Sequence, residues 1–246
     1  MNTLYLVQTE TQLNAYRDLF QPMQARLLPY MEHLRTAYAA QNFPRSLILT
    51  DVHTATHGIS SIPVPAYTNN HRIVFTPELS AWQSIYLRQL DSYPSQDTRV
   101  LRLHYAERLT ENHLLQILGH ELAHHSELFL TDEDYESGVW FEEGMAEYIS
   151  RKWFLAPEEF EKERHVNRAL VSLFQQAHGW HSLEDFGQKT YEGDYASIFY
   201  EYWRSFLAID ELVERYGSIR AVFDDYKKWH DSPVSLPLTE WFRINI

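Results

Sequence analysis

Leu114-Leu115-Gln116-Ile117-Leu118-Gly119-His120-Glu121-Leu122-Ala123-His124 is the stretch on which the reading of this chain turns. Its apolar residues at 114, 115, 117, 118 and 122 recur at helical spacing, which predicts a helix over 111–127. Residues four apart on a helix stand one above the other on the same face. His120 and His124 therefore project side by side, and two imidazoles so placed can close on one metal ion at roughly 2.0–2.1 Å. Glu121 is the next residue round the helix. It can approach the open side of the ion without ligating it, and take a proton from a water activated there. His125 points about 100° away from His124, so a hydrogen-bonded or solvent-facing role is expected of it. Gly119 in mid-helix costs roughly 1 kcal/mol relative to alanine, which implies that another group packs closely over the helix at this point.

A second segment follows, Trp140-Phe141-Glu142-Glu143-Gly144-Met145-Ala146-Glu147-Tyr148, predicted helical over 140–153. Glu142, Glu143 and Glu147 compete for the place of a third ligand. The chain has no cysteine, so a transition metal must sit on histidine and carboxylate. The two segments together make a zinc-dependent hydrolase the leading reading.

In these motifs the chain resembles the gluzincin branch of the zinc metallopeptidases, and looks most like aminopeptidase-type members, whose second motif reads Trp-Leu-Asn-Glu-Gly-Phe-Ala. The resemblance spans about residues 46–76 and 110–217. It implies a zincin-like fold and makes the glutamate before glycine, Glu143, the third zinc ligand, with residues 125–142 between it and His124, as in that subgroup. It implies Glu121 as general base. Glu147 becomes an orienting partner of His120, against a solvated helix face as the plain reading for it and for Glu142. The resemblance also implies a tyrosine that stabilises the oxyanion. The tyrosine-rich stretch from Tyr191 to Gly217 resembles the family's helix ending in Tyr-Gly, and offers Tyr195, which is favoured, or Tyr202. Residues 58–76 resemble the segment that supplies an edge strand for substrate. The Gly-x-Met-Glu-Asn motif of the aminopeptidases is missing, which favours an endopeptidase or a narrow-specificity peptidase. The alternative is a metal-binding or regulatory interaction protein without turnover, although such a site has no need of Glu121.

The rest of the chain predicts an α+β fold in one domain of 246 residues, with a small mixed or antiparallel sheet lobe over 1–109 and a mainly helical lobe over 110–246. Residues 9–40 read as helix, broken or kinked at Pro22 and Pro29. Residues 46–52, 71–76 and 98–105 read as strands and 53–70 as a loop. His53 and His57 are four apart, but Gly58 and the loop composition argue against a helix there, and hence against a second metal site. Residues 78–92, 157–178, 194–214 and 218–229 read as helices, with Gly217 as a stop.

Net charge is −13, from 34 acids and 21 bases, which argues against nucleic-acid or anionic-membrane partners. Charges interrupt every apolar run, so no membrane span is expected. Residues 1–8 lack a basic start and a sustained apolar run and do not read as a signal peptide. A cytoplasmic hydrolase of peptide or protein substrates, with Zn2+ as cofactor, is the expectation; the sequence leaves its oligomeric state open.

Overall fold

The computed structural model describes residues 1–130 and 138–246. They form a mixed α+β structure in two compact units. The first comprises Met1–Leu87, Leu103–Glu127 and Ile149–Leu155. The second comprises Arg88–Arg102, Leu128–Tyr148 and Ala156–Ile246. No helix is long and apolar enough to cross a membrane among the described residues.

The first unit is built on a sheet of four strands: β1 (Asn2–Leu6), β2 (Ser46–Thr50), β3 (Ala66–Thr68) and β4 (Arg72–Phe75). Their order is β1-β2-β4-β3, with β1 and β4 parallel to β2 and β3 antiparallel to β4. Parallel neighbours require a crossover. Between β1 and β2 that crossover is helix α1 (Glu10–Tyr38). It buries Tyr16, Phe20, Met23, Leu27, Tyr30, Met31, Leu34 and Tyr38, which recur at helical spacing along one face. Thr9 caps its start, accepting from the Gln12 amide at 3.2 Å. The helix runs through Pro22 and Pro29 as one element, so neither proline breaks it. Each proline removes one donor, and the long buried face outweighs that loss.

Three further expectations are corrected. Residues 98–105 are not a strand but lie within α3 (Ser95–Glu107). Its buried positions are Thr98, Leu101, His104 and Tyr105, whereas Val100 and Leu103 are exposed, so hydropathy alone reads the wrong face. The loop predicted over 53–70 contains the short edge strand β3 and a π-helical turn over Thr54–Ile59. Residues 2–6, given no structure from sequence, form β1.

Helix α2 spans Leu79–Arg88, and α4, which carries the histidine pair, spans Glu111–Ala123. Thr110 opens α4 as its N-cap, and the His113 ring accepts from the Thr110 amide at 3.0 Å, the place glutamate takes in the usual capping box. The Tyr30 hydroxyl donates to the Gly119 carbonyl at 3.0 Å and ties α1 to α4. A Cβ on Gly119 would lie 2.5 Å from Phe154 Cε2 and 3.2 Å from Tyr30 Cε1. That is the close packing the mid-helix glycine implied. Gly119→Ala is expected to lose up to about 2 kcal/mol of stability, because overpacking costs about 1–3 kcal/mol against a propensity gain of about 1. Denaturant melts of the two proteins check this, and a more stable variant would show that the ring moves aside freely.

Helix α5 (Val139–Phe154) starts in the second unit and ends in the first. The second unit continues with α6 (Pro157–His178), α7 (Tyr195–Tyr216), α8 (Ile219–His230) and α9 (Leu238–Phe242). Aromatic contacts fill its core: Phe174 stacks on Tyr200 at 3.9 Å and Phe141 on Tyr226 at 4.2 Å. Arg204 is fully buried, and the cost of burying its charge is offset by bonds to Glu201 and to the His181 and Ser182 carbonyls. Gly217 ends α7 at φ +80°, a conformation that favours glycine.

Candidate metal centre

Helix α4 ends at the histidine pair. His120 and Glu121 occupy the last turn of α4, and His124 is its C-cap, still in right-handed helical geometry (φ −56°, ψ −17°). The helical register therefore persists across the whole His-Glu-x-x-His run, and the two imidazoles stay on one face. Their rings are 4.7 Å apart, and their Nε2 atoms are 2.9 Å apart. Two nitrogens bound to one tetrahedral ion at roughly 2.0–2.1 Å stand about 3.4 Å from each other. The pair is within half an ångström of that spacing.

Glu143 completes a group of three. One ligand atom from each of His120, His124 and Glu143 lies within 4.8 Å of the others. His120 and Glu143 are buried and His124 is partly so. Two imidazole nitrogens and one carboxylate oxygen are a donor set that could hold a metal ion. Among the three acids that competed for this place, Glu143 is the one that joins the histidines; Glu142 is half-buried, and Glu147 is buried rather than on a solvated face. Glu121 is also buried, beside His120 in the helix.

Local packing explains why a glycine follows Glu143. A Cβ on Gly144 would lie 2.3 Å from the backbone carbonyl oxygen of Ser205 on α7, and 2.9 Å from Ile209 Cγ1. Only a residue without a side chain lets α5 approach α7 this closely.

His125 turns away from the pair, as its helical angle predicts. Its Nε2 meets the Thr68 hydroxyl of β3 at 2.7 Å. Burial, assisted by the neighbouring His124, pushes it down to about 4, so it is neutral at physiological pH. This contact fastens the edge strand β3 to the end of α4, a link that no sequence signal at Thr68 announced.

Comparison with known protein families, characterised proteins and solved structures gives no match. The functional reading of this centre therefore rests on its own residues.

Both tyrosines proposed for the oxyanion lie on α7. Tyr195 is its first residue, behind the N-cap Asp194, whose carboxylate accepts from the Ser197 amide at 2.9 Å. The Tyr195 ring stacks on Phe199 and lies under the Arg88 guanidinium, 6.0 Å from it. The Tyr202 hydroxyl meets that of Tyr191 at 2.7 Å. The segment 131–137, between the histidines and Glu143, lies outside the described residues.

Proposed function

We propose that this chain is a zinc-dependent peptidase of the gluzincin type with a zincin-like fold, acting as an endopeptidase or on a narrow set of peptides. The observation that carries the reading is the meeting of the His120, His124 and Glu143 ligand atoms within 4.8 Å, with Glu121 next to His120. Zinc, when bound, supplies a Lewis acid that makes a water nucleophilic near neutral pH and draws charge from a carbonyl oxygen.

The chain's own residues do the rest. His120, His124 and Glu143 hold the ion. The Glu121 carboxylate accepts the proton of the attacking water and returns it to the leaving amine as the C–N bond breaks. Glu147 orients His120 and fixes its tautomer. A tyrosine hydroxyl of α7 donates a hydrogen bond to the carbonyl oxygen as it gains negative charge. An extended substrate pairs with β3, which ends the sheet and, among the described residues, has only β4 as a strand neighbour.

The test is metal content together with cleavage. Purified protein should carry about one zinc per chain and cut peptides from a mixed-sequence library. A chelator should abolish cleavage, and added zinc should restore it. Protein that takes up no zinc would refute the reading, and zinc uptake without cleavage would make the centre a structural clamp. The tyrosine is assigned by a pair of variants. Tyr195→Phe is expected to lower kcat by about 10²–10³-fold, the usual cost of one oxyanion donor, and Tyr202→Phe to leave it nearly unchanged. The reverse result would move the role to Tyr202.

A further inference from the structure

The π-helical turn over Thr54–Ile59 brings together two histidines that the sequence pattern had kept apart in a loop. In this turn the Ser60 amide donates to the Ala55 carbonyl, five residues back, at 3.2 Å. Such widened turns are uncommon and concentrate at functional sites. The Asp51 carboxylate holds its start, accepting from the Thr54 amide at 3.0 Å and the Thr54 hydroxyl at 2.9 Å. The Tyr67 hydroxyl donates to the Ala55 carbonyl at 3.1 Å and fixes its middle. Ala55 and Thr56 are buried, while His53 and His57 are exposed. The two imidazoles stack on each other, 4.8 Å between centres and 23° between planes.

The proton inventory of the turn is decisive. The Thr56 hydroxyl donates its one proton to the Val52 carbonyl at 2.8 Å. It also lies 2.8 Å from His57 Nδ1. Having spent its proton, the hydroxyl can only accept there, so His57 carries its proton on Nδ1 and presents a bare lone pair at Nε2. A ligating histidine is prepared in this way, with one ring nitrogen donating to a fixed oxygen and the other left for the ion.

We infer that His53 and His57 form a second metal site, separate from the His120–His124–Glu143 centre, that takes a divalent transition cation. Imidazole pairs favour Ni2+, Cu2+ or Zn2+, whereas Mg2+ and Ca2+ prefer oxygen donors. Two nitrogens on one such ion stand about 3–4 Å apart at bond lengths near 2.0–2.1 Å; the stacked rings must turn about their side-chain bonds to aim both lone pairs at one ion, and their exposure leaves room for that. Water completes the coordination, since the site faces solvent. Thr56 is a positioning residue here, acting through His57.

Ni2+ titration by calorimetry tests this. The double variant His120→Ala/His124→Ala is expected to bind one Ni2+ per chain, and to lose that binding when His53→Ala/His57→Ala is added. Protein first saturated with zinc at its histidine–glutamate centre keeps the experiment decisive if the first variant misfolds. A chain carrying only His53→Ala/His57→Ala should then take up one metal ion fewer than wild type, with an unchanged circular dichroism spectrum because both side chains are exposed. Thr56→Val should weaken the site by about 10–100-fold, the usual effect of removing an orienting partner. Equal stoichiometry with and without His53 and His57 would overturn the inference, as would unchanged affinity in Thr56→Val. Loss of peptide cleavage alone would bear on the other centre and leave this one standing.

Discussion

Glu121→Gln should retain zinc and lose peptide cleavage by about 10²–10⁴-fold, the range that a positioned general base contributes. The substitution keeps the shape and hydrogen-bonding reach of the side chain and removes only its ability to take a proton. Glu121 is not one of the three residues whose ligand atoms converge, so metal content should stay at the wild-type level. Elemental analysis and a peptide assay on the same preparation separate the possibilities. Zinc retained with activity lost assigns the proton transfer to Glu121. Activity retained would place the base elsewhere. Zinc lost would mean that Glu121 holds the centre together and would leave its chemical role without support. Glu143→Gln is the useful contrast, because it should lose metal and activity together.

The helical half of the chain was largely legible because each segment carries its own periodicity and its own ends. Residues 157–178 were read to the residue, and Gly217 was recognised as a stop because a left-handed cap favours glycine. The pairing of His120 with His124 followed from helix geometry alone, and Glu143 was picked out only through the resemblance. The structure brings all three together. What failed depended on partners distant in the chain. Strand β1 has only five residues and takes its meaning from β2, beyond the crossover of α1. In α3, Thr98 and His104 occupy the buried face, so the apolar residues did not mark it. The turn at Thr54–Ile59 is held by Asp51 and Tyr67, and its π geometry has no signature in a six-residue window. Gly144 could be matched to a motif, but the reason for it, the Ser205 carbonyl on α7, lies outside any local reading.

That carbonyl sets the second large effect. Gly144→Ala should destabilise the protein by about 3 kcal/mol or more, at or beyond the upper end of ordinary overpacking. The added Cβ would fall 2.3 Å from Ser205 O and 2.6 Å from Ser205 C. These are backbone atoms within α7, so no side chain can rotate out of the way, in contrast to the ring of Phe154 opposite Gly119. Relief requires α5 and α7 to separate. Ile209 Cγ1 at 2.9 Å and the fully buried Ile209 side chain resist the same movement. The loss corresponds to a fall in Tm of roughly 6–12 °C at this chain length. The neighbour of Gly144 is Glu143, so a shift of α5 also moves the proposed third ligand, and zinc affinity should fall with stability. Met145→Leu is the control: Met145 is fully buried one residue on, and a volume-conserving exchange there should cost under about 1.5 kcal/mol. A Gly144→Ala protein that melts within a degree or two of wild type and holds zinc as tightly would mean that the two helix backbones are not in contact at Ser205, and that the glycine after Glu143 has another cause.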